Sequence, residues 1–376
     1  MKKIMEICLS PDAGGLELYM VRAGLYLENK TPIFSVINQD GKLASYYNEK
    51  SNLIKMKKPS YLGAFAFAKK LAHAIDIHEI DVVHLHWTKD LPFVVLAKVL
   101  SKRKPALIQT RNMTMTRFKG DFYHKWLYKN LDMMHAVTHQ VKEQLETFIP
   151  KEVRPDIEVL YMGAETPSKI TAEEKDRLRK DYKIKEQFTV GIVGRIEKEK
   201  GQYLVIDAVE KLIQKGHEAQ VLIVGHAMDD IYLEELKADV KRKDMNEHVI
   251  FTGFTKEAQK LMQLCDALVL ATPRETFGLV LIEAMACGIC VIGTNNGGPL
   301  EIIDDNETGL LFLKDNSDDL SQKIELLIND KEFKDKLALA GQTKAKEQFN
   351  ATNQFEKLHL ILQKLAEDTK NKANKL

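Results

Sequence analysis

The residues of this chain best suited to chemistry lie in Thr272–Gly298, which reads TPRETFGLVLIEAMACGICVIGTNNGG. The pattern predicts a loop after a short apolar run, then a helix that begins near Gly278 and ends before Gly288. Free N–H groups at the start of a helix bind phosphate, and a glycine lets a ligand approach the backbone closely. The backbone of Phe277, Gly278 and Leu279 is therefore a candidate phosphate site.

Two carboxylates flank this predicted helix terminus. Glu275 precedes the helix, and Glu283 follows Leu279 by four residues, which places it on the same helix face one turn further on. Carboxylates in these positions can accept hydrogen bonds from hydroxyl groups, one from a ribose and one from a sugar. The alternative is that both are ordinary surface carboxylates, one of which favours the helix start.

A second candidate site is the segment GIVGRIEKEKG at residues 191–201. An apolar strand is predicted to end at Gly194, and Arg195 and Lys200 then bracket a short loop before the next helix. Two cations in such a loop can neutralise a diphosphate without a metal ion. The alternative is that both charges are merely solvated.

A third candidate is the turn Asp12–Gly15, which follows the first predicted strand and contains two adjacent glycines. A ligand can meet the backbone at such a turn, although a pair of glycines is weak evidence alone. The chain has neither a G-x-G-x-x-G segment after this strand nor a P-loop, which argues against an ordinary dinucleotide-binding domain.

The elements that must position these residues alternate along the whole chain. Runs that are apolar throughout are typical of strands buried on both faces of a parallel sheet. The predicted strands form two sets: Lys3–Leu9, Pro32–Val36, Val82–His86, Ala106–Thr110, Ala136–Thr138 and Glu158–Tyr161, then Thr189–Val193, Val221–Val224, Val249–Thr252, Ala267–Leu270 and Cys290–Gly293. Amphipathic segments such as Leu16–Leu27, Gly63–Ile75 and Gln202–Ile213 lie between them.

This alternation predicts an α/β fold class with two doubly wound, Rossmann-like domains. A polar stretch, Thr166–Lys185, separates the two sets of strands and reads as a linker followed by a helix. We predict an N-terminal domain over residues 1–165 and a C-terminal domain over residues 166–351, with a last helix at about residues 352–370 that packs back on the first domain.

Composition excludes several classes of protein. The 376 residues include 55 Lys and Arg against 54 Asp and Glu, with 44% hydrophobic and 29% charged residues. This balance is that of a globular protein and argues against a disordered chain, a fibrous repeat or a nucleic-acid binder. Four cysteines form no disulfide framework, and no apolar run is long enough to span a membrane. We expect a cytoplasmic protein.

Charge is unevenly placed between the two predicted domains. Residues 1–165 hold 24 Lys and Arg against 18 Asp and Glu, and the remainder hold 31 against 36. The excess is concentrated in Lys102–Lys129, where eight basic residues alternate with aromatic ones, and in Lys55–Lys58. Basic residues beside aromatics suit contact with an anionic membrane surface or an anionic acceptor. The alternative is a solvated basic face.

Together these features resemble glycosyltransferase family 4, the retaining nucleotide-sugar enzymes of GT-B architecture. The resemblance covers nearly the whole chain and is carried by Glu275 and Glu283 within ETFGLVLIEAMACG, by Arg195 and Lys200 within VGRIEKEKG, and by NNGGPLEII and NETGLLF. SPDAGGLEL, DVVHLHW and LYMGAE match more weakly, because the N-terminal domain of the family varies with the acceptor.

The resemblance implies two domains facing each other across a cleft, with the donor on the C-terminal domain and the acceptor on the N-terminal one. It implies that Arg195 and Lys200 hold the donor diphosphate, that Glu275 binds the hexose and that Glu283 binds the ribose. The full donor-binding set is Gly15, Gly194, Arg195, Lys200, Glu275, Phe277, Gly278, Leu279 and Glu283. The family implies no cofactor, and we expect no metal, since no D-x-D motif is present.

The chain departs from the family pattern near residue 111. Within PALIQTRN, Arg111 stands where the family often has a histidine that lies near the anomeric centre. His86, at the end of a predicted strand, is a substitute candidate for a catalytic position. A guanidinium binds phosphate or carboxylate bidentately, so we expect Arg111, with Asn112, to bind an anionic acceptor. The alternative is that Arg111 forms an ion pair that fixes the end of its strand.

The resemblance thus implies a hexosyltransferase-type enzyme (EC 2.4) that uses a nucleotide-sugar, with UDP favoured by its frequency within the family, and that retains configuration. Its catalytic residues would be Arg195, Lys200, Glu275 and His86. The expected acceptor is a glycan or a lipid-linked intermediate of cell-envelope polysaccharide or lipopolysaccharide biosynthesis, with no nucleic-acid partner. We expect peripheral contact with the inner face of the cell membrane. The alternatives are a catalytically silent nucleotide-sugar-binding GT-B protein and a nucleotide-sugar epimerase of related architecture.

Overall fold

The computed structural model of the protein describes residues 2–60 and 63–373. The chain forms two units: unit 1 comprises Met1–Met162 and Thr352–Leu376, and unit 2 comprises Gly163–Ala351. Each unit is a parallel β-sheet with helices in the connections, as the alternation of apolar runs and amphipathic segments predicts.

The sheet of unit 1 has seven parallel strands in the order β3-β2-β1-β4-β5-β6-β7. Its strands are β1 (Ile4–Cys8), β2 (Ile33–Asn38), β3 (Asn52–Met56), β4 (Val82–Leu85), β5 (Ala106–Arg111), β6 (Met133–Ala136) and β7 (Asp156–Val159). Ile4 pairs with Ile33 on one side and with Val82 on the other, so β1 lies between β2 and β4.

The chain of unit 1 first moves outward from β1 to β3 and then returns to β4, which makes the gap between β1 and β4 a topological switch point. Loops that leave the carboxyl ends of strands at such a point form the usual ligand site of open α/β sheets. The two loops are tied together, because the Leu9 backbone N–H donates to Asp90 Oδ2 at 2.7 Å.

Helices in the connections of unit 1 are α1 (Gly15–Glu28), α2 (Ala64–Ile77), α3 (Leu91–Leu100), α4 (Phe122–Lys129) and α5 (His139–Phe148). The last helix of the chain packs on α1: Tyr26 Oη donates to Glu356 Oε2 at 3.0 Å, and the Phe355 ring lies 5.5 Å from that of Tyr19.

The sheet of unit 2 has six parallel strands in the order β10-β9-β8-β11-β12-β13. These are β8 (Phe188–Val193), β9 (Ala219–Val224), β10 (Val249–Phe251), β11 (Ala267–Leu270), β12 (Cys290–Thr294) and β13 (Leu310–Phe312). Its switch point lies between β8 and β11, where Val190 pairs with Ala267. The central strands are buried on both faces, and β9 has no exposed residue.

Eight helices are described in unit 2, and the last helix follows them. They are α6 (Ala172–Asp181), α7 (Gln202–Gln214), α8 (Asp230–Arg242), α9 (Ala258–Met262), α10 (Leu279–Ala286), α11 (Pro299–Ile302), α12 (Ser317–Asn329) and α13 (Lys331–Gln348), then α14 (Ala351–Ala373). Within the described residues, no helix combines the length and the hydropathy that crossing a bilayer requires.

The observed strands correct the prediction at the sheet edges. β3 and β13 were not predicted, because the first is a half-exposed edge strand containing Asn52 and Lys55, and the second has only three residues. Two further strands lie earlier than predicted: β6 ends at Ala136, where the predicted strand starts, and β7 precedes Leu160. In both cases the apolar residues after the strand are buried in the turn that leaves it.

Candidate functional site

The candidate donor loops of unit 2 leave the sheet at its switch point. One loop follows β8 and carries Arg195, whose side chain is half exposed and whose Nη2 lies 3.1 Å from Glu197 Oε1. Lys200 ends the same loop, in a single 3-10 turn that precedes α7. The cations therefore lie at the carboxyl end of β8, where the sequence pattern places them.

The loop after β11 lies against the loop after β8. Gly201, next to Lys200, adopts a left-handed conformation with φ of 73°, and a Cβ atom there would lie 2.7 Å from the Ala271 carbonyl oxygen. This close approach brings Lys200 Nζ to 3.5 Å from Glu275 Oε2. The structure therefore brings together a cation and a carboxylate that are 75 residues apart in the sequence.

Helix α10 begins beside this pair. Gly278 is its N-cap residue, with φ of 102°, and no side-chain cap is found there among the described residues. The Phe277 side chain is buried, edge-on to the Phe349 ring at 6.1 Å, so that only its backbone can serve a ligand. Glu283 is half-buried one turn beyond Leu279. A helix terminus with Lys200 nearby is suited to a phosphate group.

Three side-chain and backbone contacts that the sequence did not predict hold these loops in place. Gln202 Nε2 donates to the Arg195 carbonyl at 2.9 Å, and Asn296 Nδ2 donates to the Pro273 carbonyl at 2.7 Å. The Gly298 N–H donates to the Glu275 carbonyl at 2.9 Å. One indication of these contacts was present in the sequence, the segment NNGG, which contains Asn296 and Gly298. The family pattern includes this segment but does not say what it does.

Gly15, the remaining residue of the predicted donor set, belongs to unit 1. It is the exposed first residue of α1, directly after the turn that follows β1. The turn is held by Glu17, whose Oε2 accepts from the Gly14 N–H at 3.0 Å. Gly15 and Trp87 thus follow the two strands that flank the switch point of unit 1.

His86 lies in a fully buried cluster of unit 1 and not on an open surface. Its Nε2 lies 2.5 Å from Glu6 Oε2, and His84 Nδ1 lies 2.9 Å from the same oxygen. His84 continues the network to Thr110 Oγ1 at 2.7 Å. These contacts fit a structural polar network at the strand ends, whereas the catalytic position proposed for His86 stays a prediction.

The electrostatics of this cluster favour a neutral His86 beside an ionised Glu6. Burial lowers the pKa of His86 to about 4, helped by the neighbouring His84. Burial alone would raise the pKa of Glu6, but its interactions with His84 and then His86 lower that pKa to about 2. His86 Nε2–H therefore donates to the carboxylate, and His86 Nδ1 has no hydrogen-bond partner among the described residues.

Arg111 is buried, and its guanidinium donates hydrogen bonds to the loop that follows β5. Nε and Nη2 donate to the carbonyl oxygens of Met113 and Thr114, at 2.7 and 2.9 Å, and Nη1 donates to Thr88 Oγ1 at 2.9 Å. This geometry favours the alternative that Arg111 fixes the strand end, although through carbonyl groups and not through an ion pair. Binding of an anionic acceptor by Arg111 and the adjacent Asn112 stays a prediction.

A basic aromatic surface, residues 113–129, follows the same strand. Phe122 is 88% exposed and Phe118 is 58% exposed, and Met113 and Tyr123 are exposed as well. Arg117 and Lys129 are exposed beside them, whereas Lys125 is paired with Glu152 at 2.8 Å. Large apolar side chains in contact with water next to cations are typical of a binding surface.

The fold defined by these units is that of the GT-B glycosyltransferases. The solved structure of Anabaena HepE in complex with UDP and glucose matches with a TM-score of 0.83, at 21% identity over 97% of this chain and 100% of that one. The structure of a glycosyltransferase from Rickettsia africae matches with a TM-score of 0.87, also at 21% identity, over 97% and 98% of the two chains.

Sequence comparison gives the family. The model of glycosyl transferases group 1 matches residues 174–344, and that of glycosyltransferase family 4 matches residues 13–166. CapM of Staphylococcus aureus, a capsular polysaccharide biosynthesis glycosyltransferase, is 23% identical over 92% of this chain and 94% of its own length. The chain belongs to glycosyltransferase family 4 and is a glycosyltransferase.

The buried cluster should make the stability of the protein depend on pH, and this dependence reports whether His86 is neutral in the folded state. The folded protein keeps this histidine neutral to about pH 4, whereas the unfolded chain protonates it below 6.5. Stability should therefore fall as pH falls from 6.5 to 4, and His86→Gln should reduce that slope by up to about 1.4 kcal/mol per pH unit. Urea unfolding across this range measures it. The exposed His73→Gln serves as the control, and equal slopes in the two variants would contradict the assignment.

Proposed function

We propose that the protein transfers a sugar from a UDP-sugar, with retention and without a metal ion, to a glycan or lipid-linked acceptor of envelope polysaccharide synthesis. The observation that carries this proposal is the contact of Lys200 with Glu275, three residues before the N-cap of α10, at the switch point of unit 2. Arg195 lies on the same loop as Lys200. The UDP bound by HepE and the polysaccharide role in the name of CapM support it.

The chemistry follows from where charge develops. Cleavage of the bond between sugar and diphosphate leaves negative charge on the phosphate oxygen that held the sugar. Arg195, Lys200 and the N–H groups at the start of α10 would stabilise this charge as it forms, and such preorganised groups lower the barrier most effectively. In a retaining front-face reaction, the leaving phosphate accepts the proton of the acceptor hydroxyl, so that no side chain need act as the base.

The carboxylates of the site have separate roles in this proposal. Glu275, at the rim and beside Lys200, would accept hydrogen bonds from hydroxyls of the donor sugar. Glu283, one turn into α10, would accept them from the ribose. Cations and backbone N–H groups supply the countercharge that Mg²⁺ supplies in other enzymes, which is the reason for proposing a reaction without metal.

We further propose that the protein works in the cytoplasm on the inner face of the cell membrane, which it meets through the basic aromatic surface. Phe118 and Phe122 would enter the headgroup region, and Arg117 and Lys129 would contact anionic lipids. Such contact is reversible and salt-dependent, because it combines a small apolar area with few charges.

Removal of either cation should slow transfer. Lys200→Ala and Arg195→Ala should each reduce turnover by roughly 10²–10³-fold, the scale of losing one group that stabilises the developing charge. Lys198→Ala is the matched control, since Lys198 is an exposed lysine of the same turn. The assay measures UDP release from the UDP-sugar that gives the largest thermal shift.

The wild-type reaction should keep the same rate in excess EDTA, because the proposed site balances the diphosphate charge without a metal ion. A loss of activity that Mg²⁺ or Mn²⁺ restores would contradict the proposal of a metal-free reaction.

The two carboxylates should be separable by calorimetry. Glu283→Ala should weaken UDP binding by about tenfold, because it removes hydrogen bonds between a charged group and the ribose. Glu275→Ala should leave UDP affinity within about twofold of wild type but reduce transfer, since its proposed partner is the sugar. The reverse pattern would show that the two roles have been exchanged.

The basic aromatic surface should bind anionic vesicles. We expect the protein to sediment with phosphatidylglycerol vesicles at low salt and to be released at high salt, because salt screens the electrostatic attraction. Phe118→Ser with Phe122→Ser should weaken this binding by roughly tenfold. Phe254→Ser is the control, because the exposed fraction of Phe254, 70%, lies between those of Phe118 and Phe122, but Phe254 belongs to unit 2. Unchanged binding by the double variant would mean that this surface does not meet the membrane.

A further inference from the structure

Unit 1 contains a second basic feature, a cavity of about 700 Å³ that follows β3. Its lining includes Lys55, Lys57, Lys58 and Lys70, and no aspartate or glutamate among the described residues. Phe67 supplies part of its apolar wall. We call it the lysine cavity. Four like charges around one cavity repel each other, so the arrangement favours binding of an anion.

The lysines of this cavity lack the partners that other lysines of unit 1 have. None of the four forms an ion pair with a carboxylate of the described residues, whereas Lys125 pairs with Glu152 at 2.8 Å and Lys98 pairs with Asp132. An exposed lysine often lacks a partner, but four around one cavity leave a charge that an anionic ligand with several oxygens can neutralise.

The position of the cavity connects it with the switch point of unit 1. The chain after β3 turns back across the sheet edge, so that Lys58 Nζ lies 4.2 Å from the centre of the Trp87 ring. Lys89 Nζ lies 5.4 Å from the same ring. Trp87 follows β4, and the carboxyl ends of strands at the switch point are where α/β folds bind ligands.

We propose that the lysine cavity binds a phosphate or diphosphate group carried by the acceptor. The proposal rests on the function given above, because it assigns the cavity to the second substrate of the transferase. It places recognition of an anionic acceptor on lysines that form no ion pair among the described residues, although Lys58 is attracted electrostatically by Asp90. The Arg111 guanidinium, by contrast, is engaged with Thr88, Met113 and Thr114. Lys58 follows β3 and Lys70 lies on α2, so two separate elements contribute lysines to the lining of the cavity.

Inorganic pyrophosphate is a direct probe of the cavity. We would titrate it by calorimetry in the presence of saturating UDP, which occupies the donor site and leaves other anion sites open. Wild type should bind, and Lys58→Gln with Lys70→Gln should bind at least about tenfold more weakly, because charge-assisted hydrogen bonds are lost. The control is Lys50→Gln with Lys69→Gln, which removes the same charge from exposed lysines of unit 1 that do not line the cavity.

A second measurement identifies the source of the phosphate group. Phosphatidylcholine vesicles with and without farnesyl diphosphate are sedimented with wild type and with both double variants. Binding that needs farnesyl diphosphate and is lost in Lys58→Gln with Lys70→Gln would support a lipid-borne acceptor. Pyrophosphate binding without vesicle binding would support a soluble phosphorylated acceptor.

The outcomes separate this proposal from that of the donor site. If wild type does not bind pyrophosphate under saturating UDP, or if both double variants bind it equally, the lysine cavity is not a phosphate site. Neither result would contradict the proposal that unit 2 binds UDP or that the protein transfers a sugar. Conversely, loss of UDP binding in Lys200→Ala without any change in pyrophosphate binding would concern the donor site alone.

Discussion

Close packing of backbone at the carboxyl edge of the unit 2 sheet is the constraint on which the proposed donor site depends. Gly201 lies against the Ala271 carbonyl, and a Cβ atom on Gly298 would lie 2.2 Å from the Phe277 carbonyl oxygen. The loops after β8, β11 and β12 can therefore touch only where a glycine removes the side chain. Their contact sets the distance between Lys200 and Glu275 and leaves the start of α10 beside both.

The positions of most residues of the proposed donor site could be predicted from the sequence, because each part of that site is local. Arg195 and Lys200 directly follow one strand, Glu275 and Gly278 directly follow another, and carboxyl ends of neighbouring parallel strands meet at one edge. The core strands were predictable for the same reason, since burial on both faces leaves a continuous apolar run. A strand that is half exposed or very short leaves no such run, which is why β3 and β13 were missed.

The acceptor side could not be predicted in the same way, because its features depend on contacts between distant segments. His86 is at the strand end that the sequence indicates, but Glu6 from β1 and His84 hold it in the interior. Arg111 ends its strand as expected, yet Thr88 and the loop after β5 take up its donors. The lysine cavity depends on a turn of the chain across the sheet edge, which no spacing of residues encodes.

The donor loops and the lysine cavity differ in how their positive charges are balanced, and this difference affects how each would bind its proposed ligand. At the donor loops, Arg195 and Lys200 each have a carboxylate nearby, Glu197 and Glu275. An ion pair between partly exposed side chains contributes only about 0–1 kcal/mol, so a diphosphate with two or more charges can replace the carboxylate at little cost. Such pairs hold the two cationic side chains close to the loops from which they would bind a ligand. The lysines of the lysine cavity form no ion pair among the described residues, so a phosphate group entering it would displace no carboxylate. Selectivity there must come from the shape of the cavity, part of whose wall is the apolar side chain of Phe67.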